Sequence, residues 1–139
     1  DPEHAPSWNS LGTMLTTIDG PRALKAVRTA VEVDPQYTNA WLNLGQLLES
    51  QQMYPGALDA YQRARRLAPE NPLALLLEAR VRLLRRETSQ ARRLLDRTAD
   101  RELFPGLEEL RGRLLQQLQS LQEAETSENP AGTTDTSER

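Results

Sequence analysis

The chain has 139 residues, with 17 basic and 20 acidic side chains, a formal net charge of −3, one histidine and no cysteine. The absence of cysteine excludes a disulfide scaffold, a thiolate metal site and a cysteine nucleophile, and the single His4 leaves little room for a serine–histidine triad. Six aromatic residues are few for a nucleic-acid platform and no apolar run could span a membrane, so we expect no enzyme, no cofactor, no metal and no membrane insertion.

A sequence repeat organises most of the chain. Trp8 and Trp41 open matching segments 33 residues apart, and Ala23, Ala57 and Ala91 are spaced by 34 and 34. The shorter first spacing indicates that one residue is missing near the middle of the first repeat. Apolar residues fall at helical spacing in both halves of each period, which predicts two helices joined by a turn. The predicted repeats are residues 5–37, 38–71 and 72–105.

The beginning of the chain resembles the end of a repeat. An Asp-Pro dipeptide lies seven and six residues before each tryptophan, at positions 34–35 and again at positions 1–2. This spacing predicts that residues 1–4 are the trailing end of a preceding repeat in a longer protein. Any targeting segment would then lie outside this sequence. For the 139-residue segment itself we expect a cytoplasmic location.

An amphipathic helix is predicted after the third repeat. A repeat stack needs a terminal helix with one polar face, because the last repeat would otherwise expose its core side. We predict this capping helix over residues 106–122 and a disordered acidic tail over residues 123–139, which have no large apolar side chain. The leucines at helical spacing are Leu107, Leu110, Leu114, Leu118 and Leu121, with Leu115 beside them.

The repeat resembles the tetratricopeptide repeat, a helix–turn–helix unit with the pattern Trp-x2-Leu-Gly-x2-Tyr, then Ala-x3-Phe, then Pro. The third repeat diverges from this pattern. It has Leu75 in place of the tryptophan, and Glu78 and Arg82 where large apolar and aromatic residues are usual. These two charges lie four residues apart and can pair on one helix face. The matching residues in the second repeat are Trp41, Leu44, Gly45, Leu48, Ala57, Tyr61, Ala64 and Pro69. Those in the first are Trp8, Leu11, Gly12, Leu15, Ala23, Val27, Ala30 and Pro35.

The resemblance implies an all-α fold. Three helix–turn–helix repeats and a capping helix would stack as an α-solenoid, a short right-handed superhelix. It also implies a non-catalytic protein–protein interaction module, because members of this family hold an extended peptide or a partner helix in a concave groove. The first helix of each repeat lines that groove.

The implied groove residues change in character along the chain. The first two repeats contribute neutral, amide-rich positions, which can bond a peptide backbone because an amide both donates and accepts. The third repeat contributes apolar positions, which either form a hydrophobic pocket or are covered by neighbouring helices. The groove positions are Asn9, Ser10, Thr13 and Thr17 in the first repeat, and Asn39, Leu42, Asn43, Gln46 and Ser50 in the second. Those of the third are Leu73, Leu76, Leu77, Arg80 and Leu84.

The family's clamp for the terminal carboxylate of heat-shock chaperones is not implied. That clamp uses lysine, arginine and asparagine at fixed positions on the first helices. The matching positions here are Asn9, Thr13, Asn43, Leu73 and Leu77, and only Asn43 fits the pattern.

Arginines are concentrated between residues 63 and 101, where 11 basic and 5 acidic side chains give a charge of +6. We call these arginines the arginine belt. It is either a solvated surface, a docking surface for an acidic protein segment, or a nucleic-acid contact, and the acidic tail could also fold back on it. The negative net charge and the absence of interleaved aromatics argue against nucleic acid. The candidate basic patch within the belt is Arg82, Arg85, Arg86, Arg92 and Arg93.

Two alternatives to a simple scaffold stay open at this stage. The segment could be the partner-recruiting arm of an enzyme whose catalytic domain lies outside this sequence. Solenoids whose terminal repeats diverge from the repeat pattern can also self-associate, so a homo-oligomer is a further alternative. In each case the expected partner is a protein or peptide, and an acidic one if the arginine belt takes part.

Overall fold

The structure is a computed structural model that describes residues 3–129 of the chain. Within these residues the chain forms α-helices and no strand, as predicted. None of these helices is both long and apolar enough to cross a membrane. The dipeptide at positions 1–2, on which the prediction of a preceding repeat depends, lies outside the described residues. The helices are α1 Ala5–Leu15, α2 Gly20–Val33, α3 Thr38–Ser50, α4 Tyr54–Leu67, α5 Pro72–Leu84, α6 Thr88–Asp96 and α7 Pro105–Glu128.

Prolines and side-chain caps set where the helices begin. Five helices, α1, α2, α4, α5 and α7, carry a proline at their first or second position, where no intrahelical N–H bond is lost. The side chains of His4, Asp19 and Asn71 accept hydrogen bonds from backbone N–H groups in the first turns of α1, α2 and α5. Because these signals are local, the repeat boundaries can be predicted from the sequence.

The turns inside the second and third repeats share one backbone geometry. Gln52 and Arg86 occupy equivalent positions and both have a φ of 59°. After Gln52, the Met53 N–H donates to the Leu48 carbonyl oxygen at 2.8 Å, which closes the end of α3 as a Schellman motif. The turn of the first repeat contains no such left-handed residue. The residue missing from the first repeat therefore falls in this turn, where α1 ends earlier than α3 does.

The helices stack in chain order around two apolar clusters. α1 packs on α2, α3 on α4 and α5 on α6, and α2–α3 and α4–α5 contacts join these pairs. α5 is buried on both sides, because Leu77 and Val81 belong to the cluster of the first two repeats while Leu75 and Leu83 belong to the cluster beneath α7. The solenoid core is therefore continuous through α5.

Close approach of the paired helices depends on glycine. A Cβ placed on Gly45 of α3 would overlap the ring of Tyr61 on α4, with Cδ1 at 2.6 Å and Cζ at 2.9 Å. Gly12 of α1 occupies the equivalent position in the first repeat, and a Cβ there would overlap Val27 of α2. Each glycine thus admits a large second-helix side chain into the repeat core.

The capping helix is longer than the sequence predicted. α7 packs on α5 and α6 with Leu114 and Leu118 buried, but it continues to Glu128. The predicted end at residue 122 is therefore wrong, and residues 123–128 are helical. Their glutamates and alanine are good helix formers, and Arg92 Nη2 on α6 donates to Gln122 Oε1 at 2.6 Å near the start of this extension. The rest of the predicted tail, residues 130–139, lies outside the described residues.

Candidate peptide-binding face

The first helices of the three repeats lie side by side, and we call the surface formed by α1, α3 and α5 the first-helix face. Asn43 Nδ2 on α3 donates to Asn9 Oδ1 on α1 at 2.8 Å. Arg80 on α5 donates to both carboxylate oxygens of Glu49 on α3, from Nε at 2.7 Å and from Nη2 at 2.8 Å. Polar side chains therefore link each first helix to the next.

A cavity of about 290 Å³ opens on this face between α1 and α3. Val27 and Leu47 are buried and form its apolar floor, while exposed hydroxyl groups, the exposed Gln46 and the half-buried Asn43 surround them. None of the lining residues carries a charge. The lining residues are Thr13, Thr16, Val27, Asn43, Gln46, Leu47 and Ser50.

The two amide side chains at the cavity have donors and acceptors that form no hydrogen bond within residues 3–129. Gln46 is exposed, and its side chain makes no hydrogen bond within residues 3–129. Asn43 uses one N–H on Asn9, which leaves its carbonyl oxygen and its second N–H for another partner. Adjacent donors and acceptors above an apolar floor can hold a polypeptide backbone while one apolar side chain enters the cavity.

The predicted groove residues of the first two repeats take different places. Four predicted residues, Thr13, Asn43, Gln46 and Ser50, line the cavity together. Asn9 is 8% exposed and acts through its hydrogen bond to Asn43. Asn39 is exposed at the start of α3 and does not line the cavity. Their contact with a ligand stays a prediction.

Three predicted groove positions are wrong because their side chains belong to the core. Leu42, Leu76 and Leu77 are 5%, 0% and 1% exposed. Of the two options that the sequence left for the third repeat, coverage by neighbouring helices is the one found for Leu76 and Leu77. The physical reason is that α4 covers one side of α5 while α6 and α7 cover another. Leu73 is half-buried and packs against the core of the first two repeats.

Arg80 is not a free cation on this face. Its guanidinium is held by Glu49, which also accepts a hydrogen bond from the Tyr61 hydroxyl at 2.7 Å. Burial lowers the pKa of Arg80, but the hydrogen bonds and charge of Glu49 outweigh it, and the pKa is raised overall. Burial, followed by the hydrogen bond to Glu49, raises the pKa of Tyr61 well above its ordinary value. The first-helix face is therefore electrostatically neutral near α3 and α5.

The candidate basic patch is also partly neutralised. Arg82 pairs with Glu87 at 2.5 Å and with the buried Glu78 at 3.5 Å, which confirms the predicted Glu78–Arg82 pair. Arg85 pairs with Glu87 at 2.9 Å. Glu78 and Glu87 therefore offset part of the charge of the patch, and its role stays a prediction. Arg92 contacts α7, whereas Arg86 and Arg93 are exposed and form no ion pair within residues 3–129.

Sequence reasoning missed part of the cavity. Thr16, Val27 and Leu47 line it but were not among the predicted groove residues. Val27 comes from α2 and reaches the cavity because Gly12 has no side chain to block it. The signal in the sequence was the pairing of a glycine in the first helix with a large residue in the second. In residues 3–129 no three acidic, histidine or cysteine side chains come close enough together to hold a metal ion.

Stacked helix pairs whose first helices form one face define a helical-repeat solenoid. Residues 19–72 match the profile of the family described as tetratricopeptide repeat. Together with the two motif copies, this match confirms the predicted resemblance to the tetratricopeptide repeat. A search of curated proteins found no match.

Solved structures have the same fold. The TPR2B domain of yeast Sti1, in a complex with pHsp70, has a TM-score of 0.75 at 20% identity, over 84% of this chain and 96% of that one. The TPR2AB domain of yeast Sti1, in a complex with pHSP90, has a TM-score of 0.73 at 23% identity, over 88% of this chain and 48% of that one.

A bacterial structure is similar to the same extent. The type III secretion chaperone SycD of Yersinia enterocolitica, in a complex with a peptide of the translocator YopD, has a TM-score of 0.74 at 18% identity. The alignment covers 86% of this chain and 93% of that one. These likenesses confirm the predicted all-α solenoid.

Proposed function

We propose that this chain is a non-catalytic protein-interaction module that holds an extended peptide on its first-helix face. The observation that carries the proposal is the uncharged cavity between α1 and α3, with amide and hydroxyl groups around an apolar floor. A peptide would place one aliphatic side chain in this cavity, toward Leu47. Its backbone would exchange hydrogen bonds with Asn43 and Gln46.

The solved relatives support this type of ligand. The Sti1 domains were solved in complexes with pHsp70 and pHSP90, and SycD in a complex with a YopD peptide. The same fold therefore accommodates polypeptide partners in other proteins. In this chain the cavity residues carry no charge, and Arg80 is already bound by Glu49. The proposed ligand is accordingly a neutral, aliphatic segment rather than an acidic terminus.

The test uses the whole chain and peptides selected from a displayed library of short random sequences. The best peptide is labelled, and its affinity is measured by fluorescence polarisation for wild type and for the double variant Asn43→Ala/Gln46→Ala. Two backbone hydrogen bonds at about 1 kcal/mol each correspond to an affinity loss of about 30-fold. Changing the salt concentration from about 50 mM to about 500 mM should alter the wild-type affinity less than about twofold, because no ion pair is involved.

The matched control is the double variant Gln116→Ala/Gln117→Ala, which removes two exposed amides from α7, away from the cavity. It should bind like wild type, and the circular dichroism of all three proteins should agree. Since Asn43→Ala also removes the donor to Asn9, the single variant Gln46→Ala separates binding from packing. Unchanged affinity in both cavity variants, or selection of acidic peptides with salt-sensitive binding, would show that the proposal is wrong.

A further inference from the structure

A second cavity, of about 310 Å³, lies on the other side of α5, against α6. Glu78 and Arg82 line it, and each is two residues from Arg80, which corresponds to about 200° around a helix. It is therefore separate from the first-helix face. The α6 residues that line it share one face of that helix. The full lining is Glu78, Arg82, Gln90, Arg93, Leu94 and Arg97.

Positive charge predominates around this cavity. Its two nearby carboxylates are each bound by two arginines already: Glu78 by Arg65 at 3.0 Å and Arg82 at 3.5 Å, and Glu87 by Arg82 and Arg85. Arg93 and Arg97 are exposed and form no ion pair within residues 3–129. Five guanidinium groups thus face two carboxylates.

Some of the guanidinium donors at the cavity have no good acceptor. Arg82 Nε is buried and makes no hydrogen bond within the described part of the chain. Arg93 Nε reaches only the Ser89 carbonyl oxygen, at 3.4 Å. No side-chain hydrogen bond of Arg97 is formed within residues 3–129. A buried donor without an acceptor costs free energy, and the exposed guanidinium groups of Arg93 and Arg97 have N–H groups free to bind an anion.

We propose that this cavity binds a phosphate monoester carried by a serine or threonine side chain of a protein partner. A carboxylate carries one negative charge on two oxygens, and Glu78 and Glu87 already fill that role beside Arg82. A phosphate monoester has three terminal oxygens and up to two negative charges, which match the separate donors of Arg82, Arg93 and Arg97. Gln90 adds an amide at the rim.

A nucleic-acid backbone is the less suitable ligand. Each of its phosphates carries one charge, and a run of them needs a row of cations rather than one cavity. No aromatic side chain lines the cavity on which a base could stack. The proposal is also independent of the peptide-binding face, because the two cavities share no residue.

The experiment follows the arginine Nε–H signals of the full chain by NMR during separate titrations at constant ionic strength. The probes are inorganic phosphate, sodium acetate, and a short phosphoserine peptide with its unphosphorylated counterpart. Phosphate and the phosphopeptide should shift the signals of Arg82, Arg93 and Arg97 in a saturable way, and acetate and the unphosphorylated peptide should not. The variant Arg93→Gln/Arg97→Gln should weaken phosphopeptide binding by about tenfold or more.

The matched control is Arg66→Gln/Arg86→Gln, which removes the same charge from exposed belt arginines outside the cavity. It should bind the phosphopeptide within about twofold of wild type. The proposal is overturned if no saturable shift occurs, if the control loses as much affinity as the cavity variant, or if acetate acts like phosphate. Binding of inorganic phosphate alone would reduce the cavity to a small-ion site, and tighter binding of an oligonucleotide would assign it to nucleic acid.

Discussion

The contact between Gly45 and Tyr61 gives the sharpest test of how the repeat core is built. The Tyr61 ring is fully buried against Gly45, and its hydroxyl donates to Glu49, which in turn holds Arg80. The variant Gly45→Ala adds a Cβ where ring carbons already lie. The ring must move, and the hydrogen bond to Glu49 is stretched or lost as it does.

The magnitude follows from three contributions. Overpacking a core costs about 1–3 kcal/mol, and the lost tyrosine hydrogen bond costs about 1 kcal/mol more. Replacing glycine by alanine inside a helix gains about 1 kcal/mol. We therefore expect Gly45→Ala to lower the free energy of unfolding by about 1–3 kcal/mol.

Gly112 of α7 provides the matched control, because a Cβ there would meet no atom within 4 Å. Gly112→Ala should raise the free energy of unfolding by up to about 1 kcal/mol. The helix-propensity gain is common to both variants, so the gap between them, about 2–4 kcal/mol, reports the clash and the hydrogen bond.

The assay is urea unfolding followed by far-ultraviolet circular dichroism, with the denaturant slope compared among the three proteins. If Gly45→Ala proved as stable as Gly112→Ala, the close approach of α3 and α4 would not depend on the glycine, and the reasoning would be refuted.

Two further substitutions test the turns and the capping helix. Gln52→Gly should raise the free energy of unfolding by about 0.5–1 kcal/mol, because glycine adopts the positive φ of this exposed position without strain. The greater entropy of glycine in the unfolded chain offsets part of that gain. An unchanged or lower urea midpoint would contradict this prediction. Leu118→Ala should cost about 2–5 kcal/mol because that leucine of α7 is buried against α5 and α6, whereas the exposed Leu115→Ala should cost under about 1 kcal/mol. Equal thermal shifts would contradict the assigned packing of this helix.

The repeat architecture could be predicted because it is encoded locally. Small residues must recur where helices approach, as Gly12 and Gly45 do, and prolines must stand at helix starts. The position of Asn43 in the motif was enough to place it on the first-helix face. No partner had to be known for any of these inferences.

Partners that lie far apart in the sequence were harder to predict. An apolar residue on a first helix can line a groove or enter a core, and Leu77 enters the core because α5 is covered on more than one side. Arg80 was predicted to line the groove, but it is bound by Glu49, which lies 31 residues earlier. The end of α7 does not follow from overall composition, because residues 123–139 are polar throughout while residues 123–128 favour a helix.

The hydrogen bonds between successive first helices have a mechanical consequence. Asn43–Asn9 and Arg80–Glu49 both cross the same face, so any motion that flattens the superhelix must stretch them. Breaking them would cost about 1 kcal/mol for the amide pair and about 1.5–3 kcal/mol for the charged pair. These hydrogen bonds therefore resist widening of the first-helix face. A partner that needs a wider groove must bind tightly enough to offset the free energy of breaking them.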